Sequence, residues 1–282
     1  MLLYPHAKIN LGLYVTEKRP DGFHNLETVF YPVPLNDVLE LNLLPEEAQG
    51  QCMMHVANME VGEITDNLAM QAYRLLNHRF SLPAVQVYLH KQIPAGAGLG
   101  GGSADAAFML CGLNRLCGLK LSRQQLMAAA AQLGSDCPYF ICGRPVFAWG
   151  RGECMKPVRV DLSGYYITIV KVPEGISTAE AFSGILPQKP SFNLRNLSRL
   201  PVEQWQNSIE NQFEANAGRL IPDIIDVKSR LIASGAVYAS MTGSGSAVFG
   251  LFRKAPGMLD FPPDYFQYTA LIHDTRPSAS GF

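Results

Sequence analysis

The usual marks of a membrane protein or of a disulfide-stabilised protein are missing from this sequence. No apolar run approaches the roughly 20 residues that a membrane-spanning helix needs, and the N-terminus lacks the basic-then-apolar layout of a secretory signal. The six cysteines form no Cys-x-x-Cys pair and no cluster with histidine, so we expect reduced thiols and no structural zinc. Together these absences predict a cytoplasmic protein.

An excess of charge of one sign is also missing. The formal net charge is −1 at pH 7, which argues against a general affinity for nucleic acid or for an anionic membrane surface. The chain has no internal repeat and no low-complexity tract. It does have 282 residues, of which 48% are hydrophobic, and this is enough for one large or two modest domains with a real core.

Alternating and amphipathic segments predict an α+β fold. Residues 7–15 place Ala, Ile, Leu and Val on one side, which predicts a strand with one buried face. A helix from about 66 to 77 opens with Asp66 as its expected cap. A change near residue 152 predicts two domains, 1–152 and 153–282. Further strands are predicted at 38–44, 85–90, 146–149 and 166–172, further helices at 103–116, 122–134, 204–216 and 222–234, a short helix near 135–138, a long loop at 183–198, and two short strands around 242–246.

The densest chemical signal is the glycine-rich run P-A-G-A-G-L-G-G-G-S-A-D-A-A at 94–107. Five glycines fall within the seven positions 96–102, directly before a segment of helical composition. Glycine lets backbone N–H groups turn toward a ligand without a Cβ in the way. The following helix offers unsatisfied N–H groups and the positive end of its dipole. The run therefore predicts a phosphate site, with ATP as the ligand.

Two familiar nucleotide-binding loops do not fit this run. Its glycines at 96, 98 and 101 match G-x-G-x-x-G, but no Asp or Glu lies between 116 and 134, where a dinucleotide-binding fold needs an acid for the ribose. The residue directly before Ser103 is a glycine and not the lysine of a Walker A loop, so the run is not such a loop. A flexible linker has a similar composition, although linkers seldom pack glycines between a strand and an alanine-rich helix. A third kind of phosphate loop remains.

Four other features have a structural interpretation beside a functional one. Lys8 shares with Asn10 the strand face opposite the apolar one, which suits either a solvated charge or a lysine that faces a cleft. Asp136 stands at a helix start, where capping is the ordinary role and catalysis is the alternative. His24 follows an R-P-D-G turn and suits an ordinary loop histidine. The segment T-G-S-G-S at 242–246 suits a tight hairpin as well as a ligand-binding turn.

Three ordered motifs resemble those of the GHMP kinases, the superfamily that includes galactokinase, homoserine kinase and mevalonate kinase. They are P-H-A-K-I-N at 5–10, the glycine run at 94–107 and T-G-S-G-S-A at 242–247. Within that superfamily, four segments are similar to the kinases of a cytidyl-linked methylerythritol: A-K-I-N-L at 7–11, R-P-D-G-F-H at 19–24, D-N-L at 66–68 and G-S-D-C-P at 134–138. The likeness spans most of the chain.

The resemblance implies both a fold and an activity. The implied fold is a two-domain GHMP kinase, with an N-terminal domain like domain 2 of ribosomal protein S5 and a ferredoxin-like C-terminal domain on the substrate side. The implied reaction uses ATP and Mg²⁺ to phosphorylate the 2-hydroxyl of the methylerythritol moiety of a cytidine diphosphate derivative, in the non-mevalonate isoprenoid route. The alternatives are another GHMP kinase, of the homoserine or mevalonate type, and a non-catalytic nucleotide-binding protein. Either a monomer or a homodimer is compatible.

The resemblance also implies roles for individual residues. Lys8 and Asp136 are the implied catalytic pair, with Asp136 as the base for the hydroxyl proton. The implied substrate-binding residues are Asn10, Phe23, His24 and Phe182, with an aromatic ring stacked on cytosine. The implied ATP-binding residues are Asn67, Leu68 and Lys91 at the adenine, and Pro94, Ala95, Gly96, Ala97, Gly98, Leu99, Gly100, Gly101, Gly102, Ser103 and Ala104 at the phosphates.

The chain departs from the family pattern at five positions, two of which are His6 and Cys137, where the usual residue is small or apolar. Ala104 stands where many relatives have a second serine, which leaves Ser103 as the hydroxyl for Mg²⁺ or phosphate. Asp105 stands where asparagine is also seen. Phe23 replaces a common tyrosine and so loses a hydroxyl while it keeps the ring. None of these departures removes a catalytic group.

Overall fold

The computed structural model describes residues 1–45, 50–59 and 62–273. Within these residues the chain forms twelve strands, seven α-helices and three 3-10 helices. The final segment 274–282 of the expected second domain lies outside the described residues.

The strands are β1 (Leu2–Leu3), β2 (His6–Lys18), β3 (His24–Asn36), β4 (Val38–Leu43), β5 (Cys52–Ala57), β6 (Val85–His90), β7 (Val146–Gly150), β8 (Cys154–Pro157), β9 (Tyr166–Lys171), β10 (Tyr238–Met241), β11 (Ala247–Phe252) and β12 (Phe266–Leu271). The α-helices are α1 (Leu68–Phe80), α2 (Gly101–Leu116), α3 (Arg123–Leu133), α4 (Cys137–Cys142), α5 (Thr178–Ser183), α6 (Phe213–Leu220) and α7 (Asp223–Ala233). The 3-10 helices are Ile64–Asp66, Leu194–Arg199 and Val202–Asn207.

The first sheet has the strand order β1-β4-β6-β5 and packs against α1 and α2, while α3 and α4 pack against α2. Its β5 runs parallel to β6, while the other pairs are antiparallel. Because side chains alternate along β6, Val85, Val87 and Leu89 enter the core while Tyr88 is exposed. They meet the buried face of α2, including Leu110. This packing fixes α2, and therefore the glycine run at its N-terminus.

Two antiparallel sheets form the rest of the fold. They have the orders β2-β3-β7-β8 and β10-β11-β9-β12. Ile9 and Leu11 of β2 share a buried cluster with Ile169 of β9 and Phe249 of β11, so the two sheets are joined by one core. Helices α6 and α7 belong to a further cluster with β9 to β11, which includes Val227.

The prediction that residues 7–15 have only one buried face is wrong. Lys8 is 3% exposed, Asn10 is 1% exposed and Tyr14 is fully buried. The register of β2 against β3 also shifts between Leu11 and Leu13, so the strand bends and Leu13 packs into the cluster of α6 and α7. A strand between two layers buries both faces, and alternation of residue types alone does not reveal this.

Two local predictions are confirmed, and the predicted helix cap is wrong. The capping box of Ser122 and Gln125 forms at the start of α3, and β10 and β11 flank the 242–246 turn. Asn67, not Asp66, caps α1, because its side chain accepts the Ala69 N–H at 2.9 Å.

The predicted helix at 204–216 is broken in the structure. A 3-10 helix and α6 are separated by an irregular segment, because Leu13 N–H donates to Glu210 O and Gln212 N–H donates to Leu13 O, each at 2.9 Å. This pairing with β2 replaces helical hydrogen bonds. The predicted long loop at 183–198 is shorter, since the 3-10 helix Leu194–Arg199 occupies its second half.

Candidate active site

A cleft of about 1050 Å³ lies where the glycine run, the start of β2 and β3, and α5 meet. Nearly all of the sequence-predicted site residues line it. The exceptions are Leu99 and Ala104, which are buried and point away from the cleft lining. The first and the last of these residues, Lys8 and Phe182, are more than 170 positions apart in the chain. Only the fold brings them to one cleft.

The glycine run forms a backbone cradle at one end of the cleft. Gly96, Gly98 and Gly100 have φ angles of 61°, 71° and 75°, a left-handed region that favours glycine. Gly100 occupies the N-cap position of the 16-residue helix α2 and supplies no side-chain cap. The first N–H groups of α2 are therefore available to an anionic ligand at the positive end of the helix dipole.

The late turn at 242–246 supports this cradle from the other side. The Thr242 hydroxyl lies 3.2 Å from both Gly98 O and Asn10 Oδ1, and it accepts a hydrogen bond from Asn10 N–H at 3.1 Å. Thr242 is fully buried. One hydroxyl thus ties the N-terminal strand, the glycine run and the late turn into one unit.

Lys8 is a buried cation at the centre of the cleft. Its Nζ donates to Asn10 Oδ1 at 2.7 Å, lies 3.7 Å from Asp136 Oδ2 and sits 5.1 Å from the centre of the Phe30 ring. Burial lowers the pKa of the Lys8 ammonium below its ordinary value, and the Asp136 carboxylate opposes that shift. The interpretation of Lys8 as a solvated surface charge is therefore wrong.

Asp136 stands in front of α4 but does not cap it. The residue occupies the N-cap position, yet its side chain accepts no capping hydrogen bond. Its carboxylate is 35% exposed and lines the cleft beside Lys8. The adjoining hairpin turn is close, since a Cβ on Gly152 would lie 3.6 Å from Asp136 Oδ1. The carboxylate thus faces the cleft, where a ligand can reach it.

Aromatic side chains line the opposite end of the cleft. The rings of His24 and Phe182 stack at 4.7 Å with an interplanar angle of 18°, and Phe182 packs edge-on against Phe213 at 4.8 Å. Phe23 is 54% exposed, and the Arg151 guanidinium lies 4.9 Å from its ring centre. These flat faces suit a heterocyclic base.

Lys91 anchors a buried ionic cluster beneath the glycine run. It pairs with Asp37 and, at 2.8 Å, with Asp105, and all three side chains are buried. Burial by itself lowers the pKa of Lys91, but Asp105 and Asp37 raise it above the ordinary value. Asp105 Oδ1 has no hydrogen-bond partner. The ammonium of Lys91 is therefore already neutralised by the protein.

The sequence reasoning missed Arg151, Asp37 and Thr28. Thr28 orients Asn10 by accepting from its Nδ2 at 2.9 Å and donating to Gly12 O at 2.6 Å. The one available signal was the G-R-G segment at 150–152, where a charged residue stands between two glycines near a strand end. Asp37 gave no signal, because its partners come from other elements.

The described residues hold no group of three or more His, Cys, Asp or Glu side chains placed to bind a metal ion. Ser103 lines the cleft. A single hydroxyl and the partly exposed Asp136 carboxylate fit a Mg²⁺ ion that arrives with a nucleotide better than one held by the protein itself. In the part of the chain that the structure describes, no helix has the length and apolar character needed to cross a membrane.

Two family models match the chain. The model described as the GHMP kinases N terminal domain covers residues 67–144, and the GHMP kinases C terminal model covers residues 191–257. A 4-diphosphocytidyl-2-C-methyl-D-erythritol kinase of Bacteroides fragilis is 50% identical over 253 residues, which are 89% of this chain and 92% of the relative. The chain belongs to the GHMP kinase family. The α+β, two-part GHMP kinase fold predicted from the motifs is thereby confirmed.

Two further comparisons agree with this assignment. A 4-diphosphocytidyl-2-C-methyl-D-erythritol kinase of Parabacteroides distasonis is 43% identical over 274 residues, which are 97% of each chain. A crystal structure of a 4-(cytidine 5'-diphospho)-2C-methyl-D-erythritol kinase superposes with a TM-score of 0.76 at 33% identity, covering 89% of this chain and 90% of that one. This GHMP kinase is therefore an ATP-dependent small-molecule kinase.

Proposed function

We propose that this GHMP kinase transfers a phosphoryl group from ATP to the 2-hydroxyl of 4-(cytidine 5'-diphospho)-2-C-methyl-D-erythritol. The relatives of 50% and 43% identity and the structural neighbour of 33% identity carry the name of that activity. The products would be the 2-phosphate and ADP, in the non-mevalonate isoprenoid precursor pathway.

The observation that carries the proposal is the position of the Lys8–Asp136 pair. The two groups are 3.7 Å apart, between a glycine cradle for phosphates at one end of the cleft and aromatic faces at the other. A donor phosphate held in the cradle and an acceptor base held on the rings would place the acceptor hydroxyl beside Asp136. Phosphoryl transfer depends mainly on such alignment and on charge stabilisation.

We assign Asp136 as the general base and Lys8 as its electrostatic partner. A tertiary hydroxyl is a poor nucleophile, so a carboxylate within reach of its proton assists the attack. The Lys8 ammonium, fixed by Asn10 and by the Phe30 ring, lies 3.7 Å from the Asp136 carboxylate and attracts its negative charge. It also stabilises the negative charge that develops on the attacking oxygen.

The backbone cradle and Ser103 are assigned to the donor end. The N–H groups at the start of α2 would hold the phosphate oxygens, and Asn67 and Leu68 line the cleft where the adenine is expected. Mg²⁺ bound with ATP would neutralise phosphate charge, and Ser103 in the first turn of α2 is the hydroxyl that we assign to the ion or to the phosphates. Lys91 lines the cleft on the side assigned to the adenine. Its ammonium is paired with Asp37 and Asp105, so we assign it a role in the shape of the adenine pocket and not in binding charge.

The acceptor end is assigned to Asn10, Phe23, His24 and Phe182. In this structure His24 covers one face of Phe182, so a cytosine base would use the exposed Phe23 face or displace the imidazole. Stacking of a base on an aromatic ring contributes about 1–3 kcal/mol. An acceptor without a base, such as homoserine or mevalonate, would leave these rings without a function.

The test is a coupled ADP-release assay with the purified protein. Turnover with the cytidyl acceptor, and none with homoserine or mevalonate, is the expected result. Turnover with one of the latter instead would identify a different GHMP kinase, and ATP binding without turnover of any acceptor would identify a non-catalytic nucleotide-binding protein.

Three further expectations concern the location, the oligomeric state and the domains of the protein. We propose a cytoplasmic protein, either monomeric or homodimeric, with domains 1–152 and 153–282. The domain boundary would fall in the turn between β7 and β8, next to Asp136. Limited proteolysis, size-exclusion chromatography with light scattering, and cell fractionation test these statements separately.

A further inference from the structure

The charges along the cleft are almost all neutralised by the protein. Among the described residues that line it, the Lys and Arg side chains are Lys8, Lys91 and Arg151. Lys8 is buried and committed to Asn10 and Asp136. Lys91 is buried between Asp37 and Asp105. Neither ammonium is therefore available to compensate the charge of a diphosphate bound at the acceptor end of the cleft.

Arg151 differs from these two lysines. Its side chain is 41% exposed, and it pairs with the Glu153 carboxylate, with Nε 4.0 Å from Oε1. An exposed ion pair at that distance contributes little. Glu153 has another task, because its Oε2 accepts the Arg151 backbone N–H at 2.6 Å. The neighbouring carboxylate of Asp21 is taken by Arg19, whose Nη2 lies 2.8 Å from Asp21 Oδ2. The Arg151 guanidinium therefore keeps donors for a ligand.

The turn that carries Arg151 is held in a fixed shape. Gly150 and Gly152 have φ angles of 72° and 107°, and a Cβ on Gly150 would lie 2.9 Å from Glu153 Oε2. The guanidinium is also fixed against Phe23, 4.9 Å from the ring centre. Such a pre-ordered arginine loses less side-chain entropy when it binds an anion.

The location of Arg151 matches one part of the acceptor. Its neighbour Gly152 approaches Asp136, the assigned base, while its guanidinium touches Phe23, an assigned base-stacking residue. In a cytidyl-linked alcohol, the diphosphate joins the nucleoside to the alcohol whose hydroxyl reacts. The diphosphate must therefore lie between the ring that stacks on cytosine and the general base Asp136. Arg151 lies between these two residues.

We propose that Arg151 binds the diphosphate of the nucleotide-linked acceptor and so selects a nucleoside diphosphate derivative over an uncharged alcohol. The inference rests on the proposed function for the identity of the acceptor. The chemistry is charge-assisted hydrogen bonding from the guanidinium to phosphate oxygens. No covalent step involves this residue.

The experiment compares the wild type with Arg151→Met, which keeps an unbranched side chain on Phe23 and removes the charge. The matched control is Arg195→Met, because Arg195 stacks on Phe147 at 4.6 Å in a similar way but lies outside the cleft lining. Kinetics should give a KM for the acceptor that is higher by about tenfold in the Arg151 variant, with kcat and the KM for ATP changed less than about threefold. The control should match the wild type.

Calorimetric binding of CDP and of cytidine tests the same inference without turnover. The wild type should bind CDP more tightly than cytidine, and Arg151→Met should lose most of that difference, while Arg151→Lys retains part of it. Equal losses for CDP and cytidine would show that Arg151 only supports the Phe23 ring and would overturn the proposal. A raised KM for ATP instead of the acceptor would overturn it too. If the wild type turns over no cytidyl acceptor, the proposed function fails, whereas the CDP and cytidine affinities still decide the role of Arg151.

Discussion

A Cβ atom placed on Gly98 would lie 2.0 Å from the carbonyl oxygen of Thr242. Gly98 belongs to the glycine run and Thr242 to the late turn, 144 positions further along the chain. The two backbones are in contact, and a Cβ atom placed on Gly243 would lie 2.9 Å from the Cα atom of Gly98. Glycine at 98 is thus required by packing as well as by its φ angle, and the phosphate cradle depends on the C-terminal part of the chain.

This contact predicts different costs for two similar substitutions. Gly98→Ala and Gly96→Ala both place a side chain at positive φ, but a Cβ on Gly96 meets nothing within 4 Å. We expect Gly98→Ala to lower the free energy of unfolding by at least about 2 kcal/mol more than Gly96→Ala. Urea denaturation of both variants measures this difference. Equal midpoints would mean that the loop and turn separate without cost.

Removal of the assigned base should affect catalysis and spare the fold. Asp136→Asn keeps the shape of the side chain but cannot accept the hydroxyl proton, so kcat should fall by about 10²-fold or more. The carboxylate is 35% exposed and caps no helix, so the variant should still fold, with a lower thermal midpoint because the buried Lys8 ammonium loses its ion-pair partner. Asp226→Asn is the control, because Asp226 forms an exposed pair with Arg230 on α7. Near-normal turnover of the folded Asp136 variant would contradict the assignment.

The pH dependence of the reaction should report on Lys8. Burial lowers the pKa of its ammonium below the ordinary 10.5, so Lys8 loses its proton at a lower pH than a free lysine. If the charged form is needed, kcat should decline on the alkaline side with an apparent pKa below 10.5. In Lys8→Arg the cation cannot be deprotonated in this range, so the remaining activity should not show that decline. An identical alkaline limb in both proteins would place the titrating group elsewhere.

The ring of Phe182 should be needed for acceptor affinity. Phe182→Leu keeps an apolar side chain against Phe213 but removes the flat face, so the KM for the acceptor should rise by about tenfold with a smaller change in kcat. The KM for ATP serves as the internal control, since Phe182 lies at the other end of the cleft. An unchanged acceptor KM would mean that the base binds on Phe23 alone.

The buried cluster under the glycine run should make stability depend on pH. Burial raises the pKa of the Asp105 carboxyl above its ordinary value of 3.8, although Lys91 opposes that shift. A group with a raised pKa binds more protons in the folded chain than in the unfolded chain, so its contribution to stability declines as the pH rises above 3.8. Asp105→Asn removes this decline. The stability of the variant relative to the wild type should therefore increase from about pH 4 to about pH 8, as measured by urea unfolding, and a constant difference would refute the shift.

Much of the fold could be predicted because its signals are local. The capping box at Ser122, the strand at 85–90 and the helix after the glycine run follow from side-chain spacing and backbone preferences. The break in the predicted helix at 204–216 could not be predicted in this way. In that segment Glu210 and Gln212 bond to Leu13, and a partner so distant in the chain leaves no mark on local periodicity.

The candidate site divides along the same line. The sequence by itself determined the glycine cradle, because glycine adopts the positive φ angles at 96, 98 and 100 with less strain than any other residue, and its motifs determined the family. It left Lys8 and Asp136 between structural and chemical roles, since one residue type suits both a surface and a cleft. Only the tertiary structure decided that Lys8 is buried, that Asp136 faces it and that Arg151 lines the same cleft. Burial, ion pairing and desolvation depend on which distant segments pack together, and that information exists only once the chain has folded.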